Sequence, residues 1–174
     1  MSLHEYAKEC LAESLLELME QKSFHSISIT ELTKKAGFSR MTFYRNYGTK
    51  EAILLELLQE KTSQILAFFQ TKQETRVSDF LILFFKTFRA EKRLILLLIQ
   101  ANLTHLLHES FQRNAEALIQ MYQQHGWFKN EQVETYKVHF IAGGLIEVLI
   151  KWAENDMQET NEGMAQTVST YLSL

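Results

Sequence analysis

The chain has 174 residues, 46% of them hydrophobic, and carries 18 basic against 21 acidic side chains for a formal net charge of −3. That apolar content is ample for a buried core, in one domain or two small ones. Proline is absent and Cys10 is the lone cysteine, which excludes a disulfide framework and removes the strongest helix breaker, so the chain reads as all-α.

The first helix is expected to place Cys10 at helical spacing with Ala7, Leu11, Ser14 and Leu18, as a packed core thiol. Its start is acidic and polar, without a charged region leading into an apolar run, so a cytoplasmic protein is expected.

Ser28 to Lys50, SITELTKKAGFSRMTFYRNYGTK, carries the densest information. Ser28 with Glu31 three residues later predicts a capping box, and Ile29, Leu32 and Ala36 continue a short helix. Gly37 supplies the left-handed residue that ends it. After a turn from Gly37 to Ser39, with Phe38 as its anchor in the core, Ser39 caps a second helix. That helix presents Arg40, Met41, Thr42, Tyr44 and Arg45 and buries Phe43 and Tyr47. Thr49 caps a long amphipathic helix through Ile53, Leu54, Leu57, Leu58, Ile65 and Phe68. Between Lys22 and Lys50 the basic residues Lys22, Lys34, Lys35, Arg40, Arg45 and Lys50 face Glu31 alone. A basic segment in an acidic chain points to a local polyanion site, and the turn chemistry makes it a helix-turn-helix.

At these residues the sequence resembles the TetR family of bacterial transcriptional regulators. The family pattern is met by Ala36-Gly37-Phe38-Ser39 and by Thr42-Phe43-Tyr44-Arg45-Asn46-Tyr47-Gly48-Thr49-Lys50-Glu51, within a region of about 5–65. Met41 stands where a small residue is frequent and Asn46 where histidine is frequent, departures that bear on the operator sequence and not on the fold. The resemblance implies a helix-turn-helix over 28–47, with Ser39, Arg40, Met41, Thr42 and Tyr44 at the major groove and Tyr44 and Lys50 on phosphates. Arg40 is the candidate reader of a guanine, since a guanidinium bonds O6 and N7 together. Thr30, Lys35, Arg45 and Asn46 are candidate backbone contacts; the alternative for Arg45 is a solvated charge.

Beyond residue 70, Thr71 to Arg76 reads as a linker, and helical periodicity recurs over about 77–89, 91–101, 104–125, 131–154 and 162–173. Breaks fall at Arg89 to Lys92, at Gly126 with Lys129 and Asn130, and over 155–163. Phe80 to Ile99 is the most apolar stretch, but Lys86, Arg89, Glu91, Lys92 and Arg93 interrupt it, and a membrane span needs ~20 uninterrupted apolar residues. About nine helices result: a three-helix DNA-binding domain over 1–50, and a helical effector and dimerisation domain over 51–174.

In the helix from Val133 to Glu154, His139, Gly143, Glu147 and Lys151 form one stripe and the remaining positions from Val138 to Trp152 are apolar. Such a helix needs two partners: its own core and a second subunit. Gly143-Gly144 either admits another backbone or is simply tolerated in a core. With the last helix (Met164, Val168, Tyr171, Leu172) it resembles the family's dimerising pair, which forms a four-helix bundle. Phe140, Gly144, Leu145, Val148, Trp152, Val168 and Leu172 are the interface candidates. The run from His139 to Gly144, on through Trp152 and Met157, resembles the branch containing regulators of dihydroxyacetone utilisation.

Phe84, Phe88, His105 and Tyr122, among the aromatics Phe80, Phe85 and Trp127, are candidates for an effector pocket or for plain core. His105, His108 and His139 lack the nearby cysteines or paired carboxylates of a metal centre, so neither metal nor cofactor is expected. Phosphate loop, nucleophile elbow, H-E-x-x-H and C-x-x-C are all missing from the sequence, which argues against an enzyme. The expectation is a regulator, in the family usually a repressor, that binds a palindromic operator in double-stranded DNA as a homodimer and responds to a small-molecule or protein effector. The alternative is a helical module whose C-terminal domain docks a partner protein.

Overall fold

Local caps define the first half of the chain. The computed structural model describes residues 2–72, 76–124 and 131–172, and for 115–116, 121–123, 131–135 and 138 the backbone alone. Among these residues ten α-helices occur: α1 (Leu3–Gln21), α2 (Ile29–Ala36), α3 (Arg40–Asn46), α4 (Lys50–Gln70), α5 (Val77–Ala90), α6 (Lys92–Gln100), α7 (His105–Arg113), α8 (Ala115–Gln124), α9 (Glu131–Glu154) and α10 (Asn161–Leu172). A 3-10 turn over Phe24–Ser26 joins α1 to α2. Ser2, Ser28, Ser39 and Thr49 each accept from the N–H three residues on, which fixes the starts of α1, α2, α3 and α4.

α4 belongs to both halves of the molecule. It packs on α1 near the helix-turn-helix and on α5, α7 and α8 beyond it. Ile53, Leu54, Leu58, Ile65, Leu66 and Phe69 are buried along it, whereas Phe68, expected on the apolar face, is exposed beside its buried neighbour. The second half pairs α5 with α10, and α9 with α6, α7 and α8. One apolar core runs from Leu11 through Phe43 and Phe88 to Val168. Among the described residues no helix is long and apolar enough to cross a membrane.

Three expectations about local structure are corrected. The helix expected over 104–125 is two helices, because the Asn114 amide donates to the Ser110 carbonyl (3.0 Å) and its backbone N–H turns back to Phe111 (3.1 Å), closing α7. Cys10 is half-buried, not a core thiol. The capping box at Ser28 is half made: Ser28 accepts from the Glu31 N–H (3.2 Å), but the Glu31 carboxylate pairs with Lys22 (2.5 Å). That ion pair ties the end of α1 to α2.

The loop between α9 and α10 is held from α5. The Arg89 guanidinium stacks 4.5 Å from the Trp152 ring and donates to Asn161 Oδ1 (2.8 Å) and to the carbonyls of Met157 (2.9 Å) and Glu159. Asp156 and Met157 take left-handed φ values of 62° and 54° there, a conformation that costs L-residues energy. Three guanidinium bonds and one from Lys92 to the Asp156 carbonyl offset that cost.

Candidate nucleic-acid interface

The helix-turn-helix is set by two local devices and one long-range clamp. Gly37 at φ 75° ends α2; a Cβ there would meet nothing within 4 Å, so the dihedral and not space demands glycine. The Phe38 N–H returns to the Thr33 carbonyl (2.9 Å), and the Phe38 ring meets the edge of Tyr6 at 6.2 Å. Ser39 accepts from the Thr42 N–H (3.1 Å) and starts α3, whose Phe43 is fully buried. At the far end of α3, Tyr47 is buried against Phe43, and Lys8 on α1 donates to Glu56 on α4 (2.5 Å). Burial first, and then the Glu56 carboxylate, push the Tyr47 phenol far above its usual range. Burial works to raise Glu56, but Lys8 and the Tyr47 phenol outweigh it and hold that carboxyl below its usual range.

The ten residues expected at DNA divide into two groups. In the first group each side chain makes at least one polar bond within the protein. Lys35 pairs with Glu17 of α1 (2.6 Å), the Ser39 and Thr42 hydroxyls bond each other (3.1 Å), and Asn46 donates to the Thr42 carbonyl (2.6 Å). Lys50 is the most firmly held of them. Its ammonium donates to the carbonyls of Phe24 and Ile27, both at 2.6 Å, and lies 4.4 Å over the Phe24 ring. Burial lowers its pKa. A lysine so placed ties the 3-10 turn to the start of α4, and two of its three N–H groups are not available to a phosphate.

In the second group the side chains face solvent. Thr30, Arg40, Met41, Tyr44 and Arg45 are exposed, and among the described residues Arg40 and Arg45 make no ion pair. The Arg40 guanidinium lies 5.9 Å from the Tyr44 ring. Ser39, Met41, Thr42, Tyr44 and Arg45 line one shallow concavity along α3. A rigid helix thus presents two unpaired cations, a phenol and a thioether on one surface.

The residues expected at an effector pocket do not converge. Phe84 and Phe88 are fully buried, with ring centroids 4.9 Å apart and each within about 6 Å of Phe111 (5.8 and 6.1 Å). Phe69, Phe80 and Phe85 extend this array to Trp152, so the aromatic run is core. His105 is exposed at the start of α7, and the Tyr122 side chain and Trp127 lie outside the described residues. His108 and His139 instead line a cavity of about 70 Å³ with Gln112 and Gly143, and His108 Nε2 sits 3.4 Å from Glu147 Oε1. Among the described residues no cluster of three or more His, Cys, Asp or Glu is arranged to hold a metal ion.

The interface candidates also split. Leu145, Trp152 and Val168 are only 3%, 2% and 5% exposed and belong to the subunit's own core, since α9 turns the first two and α10 the third toward their neighbours, and Phe85 meets the edge of Trp152. They cannot be interface residues. Phe140 and Gly144 are exposed, Val148 and Leu172 half-buried. Sequence reasoning missed Tyr136 and underweighted Tyr171, which with Phe140 are 81%, 64% and 79% exposed. It also missed Arg93 of α6, which forks to Glu20 (2.7 Å) and Glu13 (2.6 Å) of α1 across more than 70 positions of sequence.

Comparison with known proteins places this geometry. Residues 11–57 match the family described as bacterial regulatory proteins, tetR family, and residues 75–174 match the family described as transcriptional regulator C-terminal region. The regulator EthR of Mycolicibacterium smegmatis is 39% identical over 62 residues, covering 36% of this chain and 29% of that protein. The match therefore spans under a third of that relative's length. The fatty acid degradation regulator FadR from Bacillus halodurans superposes with a TM-score of 0.69 at 19% identity, over 95% of this chain and 94% of that one. The dihydroxyacetone kinase operon activator DhaS follows at 0.66 and 13%, over 95% and 93%, a likeness of fold. By its helix-turn-helix and its helical C-terminal half alike, the chain belongs to the TetR family of bacterial transcriptional regulators.

Proposed function

We propose that the protein is a sequence-specific DNA-binding regulator, a repressor that holds α3 of each of two subunits in successive major grooves of a near-palindromic operator. The observation that carries this reading is the contrast on α3. Arg40, Met41, Tyr44 and Arg45 face solvent without an ion pair, while Lys35, Ser39, Thr42 and Asn46 beside them each make a bond within the protein. Guanidinium groups left free on a rigid helix match guanine edges and phosphates. The exposed aromatics of α9 and α10, Tyr136, Phe140 and Tyr171, support a second copy as partner: Tyr136 and Phe140 lie one turn apart on α9, and large apolar side chains gathered in water mark interaction sites.

Control by an effector is supported by the ties between the two halves. Arg93 joins α6 to α1, and Lys61 of α4 pairs with Glu91 between α5 and α6 (2.9 Å). A ligand that shifts α6 would move α1 with it, and α1 carries α2 and α3 through their shared packing. The reading is tested by selecting binding sites from a random DNA pool. An inverted repeat whose half-sites are centred about one helical turn apart, or a multiple of it, is expected; recovery of no enriched sequence would refute it.

A further inference from the structure

Met41 is 79% exposed on α3, where its exposed neighbours Arg40, Tyr44 and Arg45 each end in a polar group and it does not. It carries no strong donor or acceptor. The hydroxyls of Ser39 and Thr42 beside it bond each other and Ser39 caps the helix, which leaves one O–H between the two to donate. At this point of the helix the protein therefore offers a base edge mainly an apolar surface. In the major groove each base presents donors or acceptors, and the one apolar feature is the C5-methyl group of thymine. Pressing a thioether against any other edge would strip water from a polar group and leave it unpaired.

We propose that Met41 is a specificity-determining residue that selects thymine in each half-site through its 5-methyl group, next to the base read by Arg40. The inference rests on the DNA-binding reading of α3. Its test uses the full chain and the operator recovered from a random pool, with each thymine replaced in turn by deoxyuridine, which removes the methyl group alone. One thymine per half-site is expected to matter. Its replacement in one half-site should weaken binding about fourfold, the worth of one buried methyl group, and in both half-sites about fifteenfold. 5-Methylcytosine at that position should bind more tightly than cytosine. Met41→Ala, checked for native helix content by circular dichroism, should bind the thymine and deoxyuridine operators alike. A recovered operator in which no thymine methyl group matters overturns the inference, as does a Met41→Ala protein with the wild-type sensitivity. Failure to recover any operator would instead remove the DNA-binding reading itself.

Discussion

Replacing Lys50 separates a phosphate contact from a structural tie. In Lys50→Ala the carbonyls of Phe24 and Ile27 lose a charged donor at 2.6 Å each, and the Phe24 ring loses a cation at 4.4 Å. Hydrogen bonds to a charged group contribute ~1.5–3 kcal/mol each; half-exposure argues for the low end or below. With ~0.5 kcal/mol for the cation over the ring, the loss comes to about 2–3 kcal/mol. For a chain of this size that lowers the melting temperature by roughly 5–10 °C. DNA affinity should fall on all sequences alike, because the 3-10 turn that leads into α2 is no longer fixed to α4. The slope of log affinity against log salt should stay as in wild type, since no phosphate charge is given up. Lys50→Met, which keeps the stem over the Phe24 ring, should lose nearly as much stability. Thermal unfolding and fluorescence anisotropy over a salt series read both quantities on one preparation. A Lys50→Ala protein of wild-type stability, with a slope shallower by about one unit per half-site, would refute this reasoning and restore the phosphate contact.

Arg40→Ala should leave the fold intact and relax discrimination at one base position per half-site by ~1–3 kcal/mol, which selection from a random pool reads as a loss of information at that position. Leu145→Glu would bury an unpaired carboxylate in the subunit core and should abolish the cooperative helical transition, because that cost rivals the whole stability of a domain. Phe140→Glu, on the exposed face of α9, should instead leave a folded subunit that sediments as a monomer. Glu56 titrates below its ordinary value of 4.5, so its contribution to stability is present above that value and lost as the pH falls through its folded range. Glu56→Gln should be less stable at neutral pH and show a flatter loss of stability below about pH 5 by denaturant titration.

Local chemistry was readable because its partners are close in sequence. Ser39 with Thr42, Gly37 at the end of α2, and Phe43 and Tyr47 four residues apart each follow from a few neighbouring side chains. What escaped depends on partners far along the chain. The motif around Lys50 does not reveal that its ammonium finds two carbonyls more than 20 positions earlier, nor that Arg93 reaches back to α1. Periodicity marked α9 as apolar over most of its circumference without saying which side its own core would take. Leu145 and Trp152 proved to be that core, and the free face is a mixture of Phe140, Gly144 and Glu147. The aromatic run of α5 was ambiguous for a related reason, since rings that line a cavity and rings that fill one share the same spacing.

In the proposed complex α3 from each of two subunits reads one half of a palindromic site. Sedimentation velocity of the protein with its selected operator, and with a duplex carrying a single half-site, tests it most directly. Two protomers are expected on the full operator, with weak binding to the isolated half-site and loss of the two-protomer complex in Phe140→Glu. One protomer bound with full affinity to a single half-site would contradict it.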